Sequence, residues 1–336
     1  MKVNQARKQT MEFISNQVNM TECVRGIHKN QDHIITGQGV LVNGEIFDFA
    51  VLMDGHGTDF FINHMRKQDW VAIMSADDPW DALYKILETL TIERVARKFG
   101  MQSNESSGST LLMMRAFAGR IETISIGDSQ IVIFKNTEYV YGSTPHNRKN
   151  PEEAARMEAH PRYSYSKKTQ PIPSIRSAKS LQSIPAEYNI FADGTSLAMT
   201  QAIGHNGITG YNPEKNIVLF DTDDDAIDVI MGSDGLWEMI IFKQHEVFPP
   251  LTEEEQADTV QDRVDLLTMN AAELATKAEI RWRKNWRLYY DIDDFTKIFK
   301  KTNFGGIYDD ISVVKWSKER IVQVEPRPPE TVTTTA

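Results

Sequence analysis

A single cysteine, Cys23, is the only thiol in this chain of 336 residues. One cysteine excludes an intrachain disulfide and a thiolate-based zinc cluster, and it fits a reducing compartment. No apolar stretch approaches the roughly 20 residues needed to span a bilayer. The segment from Met1 to Thr10 is polar and lacks the apolar centre of a signal peptide. Positive charge is also scarce: 37 Lys and Arg against 47 Asp and Glu leave a net charge of -10. That balance argues against a nonspecific binder of nucleic acid or anionic membrane. These absences lead us to expect an intracellular protein, cytoplasmic or nuclear, with neither a nucleic-acid nor a membrane partner, and a monomer is the expected state.

What is present is ordinary in bulk. With 40% hydrophobic and 25% charged residues, the chain can bury a substantial core as one large domain or two average ones. Strand-like runs dominate the first half. Gly39 to Val42 and Ile46 to Met53 flank Asn43-Gly44, a strong hairpin signal. Asp78-Pro79 reads as a helix cap, with Leu83, Leu87 and Leu90 at helical spacing and Gly100 as the stop. The runs Ser109 to Phe117, Arg120 to Ile126, Gln130 to Phe134 and Glu138 to Tyr141 read as an antiparallel meander. Asn150-Pro151-Glu152-Glu153 opens a short helix through Met157. From about 160 to 185 the composition shifts to Ser, Lys, Arg, Pro and Tyr, read as an exposed insertion. Strands resume at Asn216 to Phe220 and Ala226 to Met231, joined by an acidic hairpin turn. Thr252 with Glu255 forms a capping box before a helix carrying Val260, Val264 and Leu267 on one face. Ile311 to Trp316 is a final strand before a Pro- and Thr-rich tail that reads as disordered. Strands and helices interleave, yet hairpin turns argue against a doubly wound parallel sheet. The expected fold class is α+β, with antiparallel sheets covered by helices.

The chemistry lies at strand ends. Phe49 to Met53 runs into Asp54-Gly55-His56-Gly57, where a carboxylate and a glycine carbonyl could approach a hard cation. Ser233-Asp234-Gly235 and Asp309-Asp310 repeat the form, each beside an apolar run. An aspartate next to glycine is most often a turn former. Three of them on apolar strand ends instead suggest one shared magnesium or manganese centre. Two such ions can activate a water and stabilise an in-line displacement at phosphorus, with His56 placed to protonate the leaving oxygen. Two other features read as surface: the basic and aromatic run Arg281 to Arg287 as a helix end, and Asp221 with Asp223 to Asp225 as a solvated turn.

In this order the motifs resemble the metal-dependent protein phosphatases of the protein phosphatase 2C (PPM) family. Val51 to His56 resembles its strand ending in DGH, Gly108-Ser109-Thr110 its GST, and Gly127-Asp128-Ser129 its GDS. His146 to Glu153, Gly194 to His205, Asp234 to Glu238 and Asp309 to Val313 follow in sequence. The resemblance spans about 20 to 317 and implies an α/β/β/α sandwich of two antiparallel sheets. It implies a domain over 20–318 with the insertion at 160–185, an N-terminal extension over 1–19 and a tail over 319–336. It implies two Mn2+ or Mg2+ ions held by Asp54, the Gly55 carbonyl, Asp234 and Asp309. A weaker third ion would lie at Asp128 together with Asp234, with Asp32 as a further carboxylate and His56 as general acid beside Asp54. The implied activity is hydrolysis of phosphoserine and phosphothreonine in protein substrates by metal-activated water.

The chain departs from that pattern in places. Gln31 stands where the family's first acidic residue belongs, and Ile27 where its phosphate-binding arginine belongs. Arg25, His28 and Lys29 are the candidate replacements. Thr200-Gln201-Ala202-Ile203-Gly204-His205 stands for SRALGD, so an arginine and an aspartate are replaced together. His205 reads as a structural histidine or one beside the metals. The alternative reading is a catalytically weak or inactive member of the same fold, acting as a binding or regulatory module.

Overall fold

Alternation along Ile46–Met53 sets the architecture. Phe49, Val51 and Met53 face one way and Ala50 and Leu52 the other, and all five are at most 1% exposed. A strand buried on both faces lies inside a layered structure. The computed structural model describes residues 18–96, 107–148, 150–159, 163–171, 183–191, 196–240, 253–283, 285–292, 295–303 and 308–320.

In chain order the first elements are β1 (Val18–Arg25), β2 (His33–Val40), β3 (Ile46–Met53), β4 (Gly55–Gly57), α1 (Phe60–Met65), α2 (Trp70–Met74) and α3 (Pro79–Ala96). There follow β5 (Ser107–Ser109), β6 (Leu111–Ala116), β7 (Arg120–Ile126), β8 (Gln130–Lys135), β9 (Glu138–Gly142) and α4 (Pro151–Glu158). Then come β10 (Tyr163–Pro171), β11 (Ser183–Phe191), β12 (Ser196–Leu197), β13 (Ile203–Gly204), β14 (Glu214–Leu219) and β15 (Ile227–Gly232). The last are α5 (Asp234–Trp237), α6 (Glu253–Thr268), α7 (Ala271–Arg283), β16 (Asn285–Ile292), β17 (Phe295–Asn303) and β18 (Ile311–Lys318).

Two antiparallel sheets form the centre, ordered β14-β7-β6-β3-β2 and β1-β18-β15-β8-β9. Ala50, Leu52, Leu112 and Met114 of the first meet Ile131, Ile133, Val229, Met231, Val314 and Trp316 of the second. The outer face of the first sheet packs Phe49, Val51 and Met53 on Phe61, Met65, Ile73 and Leu83 of α1, α2 and α3. The outer face of the second packs Val132, Phe134, Ile230 and Val313 on Leu236, Leu266, Leu274 and Ala278 of α5, α6 and α7. The result is the expected order of helix, sheet, sheet, helix. Local signals hold as well. Asp78 Oδ1 accepts from Trp80 N at 2.9 Å, Asn150 Oδ1 accepts from Glu152 N at 3.0 Å, and Gly44 takes a φ of 86° in the turn between β2 and β3.

Four expectations need correction. The runs after Ser109 are not one meander: β6 and β7 pair in one sheet and β8 and β9 in the other, so the chain crosses between layers at Gly127 to Ser129. Gly127 adopts a φ of 100°, which permits the sharp change of direction. The acidic turn after β14 likewise joins two sheets rather than a hairpin. It is tied by its own bonds, since Asp225 accepts from Asp221 N at 2.8 Å and faces Lys135 Nζ at 3.0 Å.

The third correction concerns α6. Val260 and Val264 are 66% and 44% exposed, while Asp262 is fully buried. Asp262 and Asp265 are ion-paired with Lys277, and Asp262 also with Arg281 of α7 at 2.8 Å, so paired charge rather than the valines faces inward. Fourth, the segment read as an insertion contains a hairpin. Tyr163–Pro171 pairs with Ser183–Phe191 in unbroken antiparallel register. β10 is rich in Tyr, Ser, Lys and Thr with little apolar alternation, while β11, where Ile184, Ala186, Tyr188 and Ile190 alternate, runs mostly beyond the expected bound at 185.

Around Arg281 to Arg287, α7 ends at Arg283 and Trp286 lies in β16, while Trp282 is packed and donates to Gly235 O at 2.8 Å. The stop at Gly100, the cap at Thr252, most of the N-terminal extension and most of the tail lie outside the described residues. Val18 and Asn19, expected in the extension, are already in β1 and pair with Lys318 and Ser317.

Candidate metal centre and its histidines

Strand register gathers the aspartates. His33 pairs with Met53, Leu52 with Leu112, and Leu111 with Ile126, which puts Asp32, Asp54 and Asp128 at one end of the first sheet. In the second sheet Gly232 pairs with both Gln130 and Val313, which puts Asp234, Asp309 and again Asp128 at one end. Asp128 sits on the crossing between the sheets, so both ends are the same end of the sandwich. Backbone bonds fix the geometry there. Thr110 N donates to Asp54 O at 2.9 Å, and Asp54 N to Thr110 Oγ1 at 3.2 Å.

Five carboxylates thus share a poorly solvated space. Burial first, and then mutual repulsion, raises their proton affinity. Asp32 and Asp234 are pushed up to about 7, Asp309 to about 8 and Asp128 to about 6, and Asp54 is held well above its ordinary 3.8. Oδ1 of Asp128 and of Asp234 is buried without a hydrogen-bond partner among the described residues, and the buried carboxylate of Asp32 has only the hydroxyls of Ser233 and Ser312 beside it, outside close hydrogen-bond geometry. Orphaned acceptors of one charge sign call for a cation. Among the described residues no three His, Cys, Asp or Glu side chains form a ready cage around a single ion. The donor set, all oxygen, fits magnesium or manganese.

The DGHG segment is held by close packing. A Cβ on Gly55 would stand 2.5 Å from Ile62 Cγ1 and 2.7 Å from Gln31 O, so only glycine fits. Gln31, which replaces an acid, spends its amide on this loop, with Nε2 donating to Gly57 O at 3.0 Å and to Asp59 Oδ1 at 2.7 Å. His56 lies against His205: Nδ1 of the first is 2.9 Å from Nε2 of the second, and the rings stack at 4.8 Å with planes 6° apart. Burial, then His205 and Lys29, lower the His56 imidazole to about 3.

The candidate cations separate. Ile27 is partly buried against the outer core of the second sheet, and Arg25 turns to α7, where Nη2 donates to Thr276 Oγ1 at 3.2 Å. The His28 side chain is exposed, and only its backbone N–H reaches this region, donating to Asp310 Oδ1 at 2.8 Å. Lys29 is exposed, and its charge acts on both His56 and Asp309. Gln201 donates to Glu153 Oε1 at 2.8 Å, and Arg156 neutralises that glutamate at 2.9 Å, so the changed SRALGD segment is internally satisfied. Asp310 was not anticipated as a loop anchor, and the contact of His205 with His56 had no sequence signal beyond the unusual residue itself.

A family model described as Protein phosphatase 2C matches residues 17–279. The chain belongs to the protein phosphatase 2C family, and that membership supports a serine/threonine phosphatase. A search of curated proteins finds no match. Among solved structures the chain is similar to a C. elegans sex determining protein, at 16% identity and a TM-score of 0.52. That likeness covers 91% of this chain and 65% of the other, under two thirds of its length, and it is one of fold. The S. agalactiae serine/threonine phosphatase is 16% identical with a TM-score of 0.45, covering 91% of this chain and 100% of that one. The Mycobacterium tuberculosis serine/threonine phosphatase PstP/Ppp is 15% identical with a TM-score of 0.46, covering 90% and 99%.

Proposed function

We propose that this chain is a Mn2+- or Mg2+-dependent phosphatase that removes phosphate from phosphoserine and phosphothreonine in protein substrates. The observation that supports it most is the meeting of Asp32, Asp54, Asp128, Asp234 and Asp309 with buried oxygens left unpartnered. Asp54, the Gly55 carbonyl, Asp234 and Asp309 would hold two ions, with Asp128 toward a weaker third and Asp32 as a further carboxylate. Bound there, such ions supply charge compensation and a water acidic enough to attack phosphorus at neutral pH. His56 delivers a proton to the leaving serine or threonine oxygen. Lys29, the candidate whose charge reaches His56 and Asp309, faces the phosphoryl oxygens in place of an arginine. A lysine offers a point charge where arginine offers a planar fork, so orientation of the phosphate falls more heavily on the ions.

A second reading, a weak or inactive phosphatase fold used as a binding module, draws on Ile27 packing against the core and Gln31 being bound to the loop. Manganese-dependent hydrolysis of a phosphopeptide decides between them. Asp54→Asn should abolish turnover while leaving the circular dichroism spectrum intact. Hydrolysis that persists in excess chelator, or in that variant, would sink the enzymatic reading as stated. Absence of Mn2+ binding by calorimetry up to millimolar concentration would favour the binding module.

A further inference from the structure

Three short strands bring two histidines together across a glycine. In the sheet ordered β13-β5-β4, His56 pairs with Gly108 and Gly108 with Gly204, so His56 and His205 flank the middle strand. A Cβ on Gly108 would sit 2.4 Å from His205 Cδ2 and 2.5 Å from Ile203 O. Any larger residue there would push the second ring away from the first. Gly204 and His205 both adopt positive φ, 87° and 44°, and for histidine that conformation is uncommon. His205 is only 3% exposed. A strained backbone, a glycine window and a buried ring thus converge on one contact, Nε2 of His205 to Nδ1 of His56 at 2.9 Å.

We propose that His205 is a positioning residue for His56. Its Nε2–H donates to His56 Nδ1, which keeps the His56 ring proton on Nε2. Two neutral rings in such a contact share one proton between the paired nitrogens, and the direction of the bond sets which edge of His56 can donate. His56 Nε2 is buried with no hydrogen-bond partner among the described residues, the remaining edge of the ring for a substrate oxygen. A phosphoester oxygen there accepts, so a hydrogen on Nε2 is the productive arrangement. This rests on the reading of His56 at the leaving oxygen, where the Nε2–H of the neutral ring is a hydrogen-bond donor to the charge that develops there. The device differs from the family pattern, in which an acceptor-only aspartate stands at this position.

The test is the tautomer of His56 in the metal-free protein labelled with 15N-histidine, read by long-range 1H–15N correlation. The expected result is Nδ1 as acceptor and Nε2 protonated. His205→Ala should give a mixture of tautomers, and His205→Asn, which tolerates positive φ and can donate, should restore the single form. With phosphopeptide, His205→Ala should lower kcat about ten- to a hundredfold with KM changed less than about twofold, and His205→Asn should recover most of it. A wild-type His56 protonated on Nδ1 would overturn the proposal without any variant. So would a His205→Ala protein that keeps both tautomer and kcat. If the wild type shows the expected tautomer and no metal-dependent turnover, the proposed function fails and the hydrogen-bond direction stands.

Discussion

Replacing Asp234 by asparagine should stabilise the metal-free protein, and the gain should grow as pH rises. One oxygen of Asp234 is buried without a partner, and its carboxyl is pushed up to about 7 by burial first and then by Asp128. An acid whose folded value lies above its ordinary 3.8 holds its proton in the folded state while the unfolded chain releases it. Stability is therefore greatest below about pH 4, falls as pH rises toward 7, and levels off above that. A rise of about three pH units corresponds to roughly 4 kcal/mol at the upper end. The five carboxylates titrate as a coupled set, so neutralising one relieves its neighbours and the individual shares do not add. Allowing for that, the asparagine variant should gain about 1–3 kcal/mol on the wild type between pH 4.5 and pH 8. Each kcal/mol is worth about 2–4 °C in a domain of 150–250 residues, and somewhat less in a longer chain. Thermal unfolding in chelator at the two pH values reads this directly. Added Mn2+ should then raise the wild-type midpoint at pH 8 and leave that of the variant nearly unmoved. If Asp234→Asn is equally destabilising at both pH values, the carboxylate is a structural hydrogen-bond acceptor and the charge argument is wrong.

Two further outcomes follow from named contacts. Lys29→Ala should raise KM for a phosphopeptide about fivefold with Mn2+ affinity unchanged or slightly raised, as for the loss of one exposed ion pair, and Lys29→Arg should restore it; steady-state kinetics beside calorimetry would check this. Asp262→Ala should cost about 3 kcal/mol in urea unfolding, because it removes the buried carboxylate that Lys277 and Arg281 share, while Lys277 keeps Asp265. A loss under about 1 kcal/mol would show that these cations find other partners.

The legible parts of the sequence were those in which one local pattern has one physical meaning. Asp54 closes an apolar run that can only be a buried strand, and Asp78-Pro79 and Asn150-Pro151 cap helices in the way their chemistry demands. Sheet membership was not legible. β7 and β8 look like hairpin partners because the turn between them is short, yet Gly127 at positive φ sends the chain to the other layer. The inward face of α6 was misread because a hydrophobic pattern treats Asp262 and Asp265 as solvent-facing. Their partners, Lys277 and Arg281, lie one helix later and 12 to 19 residues away. The same limit hid the contact between His56 and His205, which are 149 residues apart.

Asp310 bears on the cation half of the site. It stands where the family pattern has asparagine, and its two oxygens accept from His28 N at 2.8 Å and Gln31 N at 3.0 Å. Those bonds tie down both ends of the turn that carries Lys29, and Asn30 closes that turn at a φ of 56°. A carboxylate makes stronger bonds to backbone N–H groups than an amide oxygen does, so the change tightens the loop. It also adds a negative charge beside Asp309 and Asp32, and that charge raises the proton affinity of both. Gln31 removes one negative charge from the same neighbourhood, and its own backbone N–H is one of the two that Asp310 holds. The pair therefore moves a charge across one hydrogen bond instead of adding one. Position 27, where the family pattern has arginine, lies two residues beyond the end of β1. A flexible lysine two residues further on acts at a defined place only if its turn is fixed. The carboxylate of Asp310 supplies that fixation through its bonds to His28 N and Gln31 N.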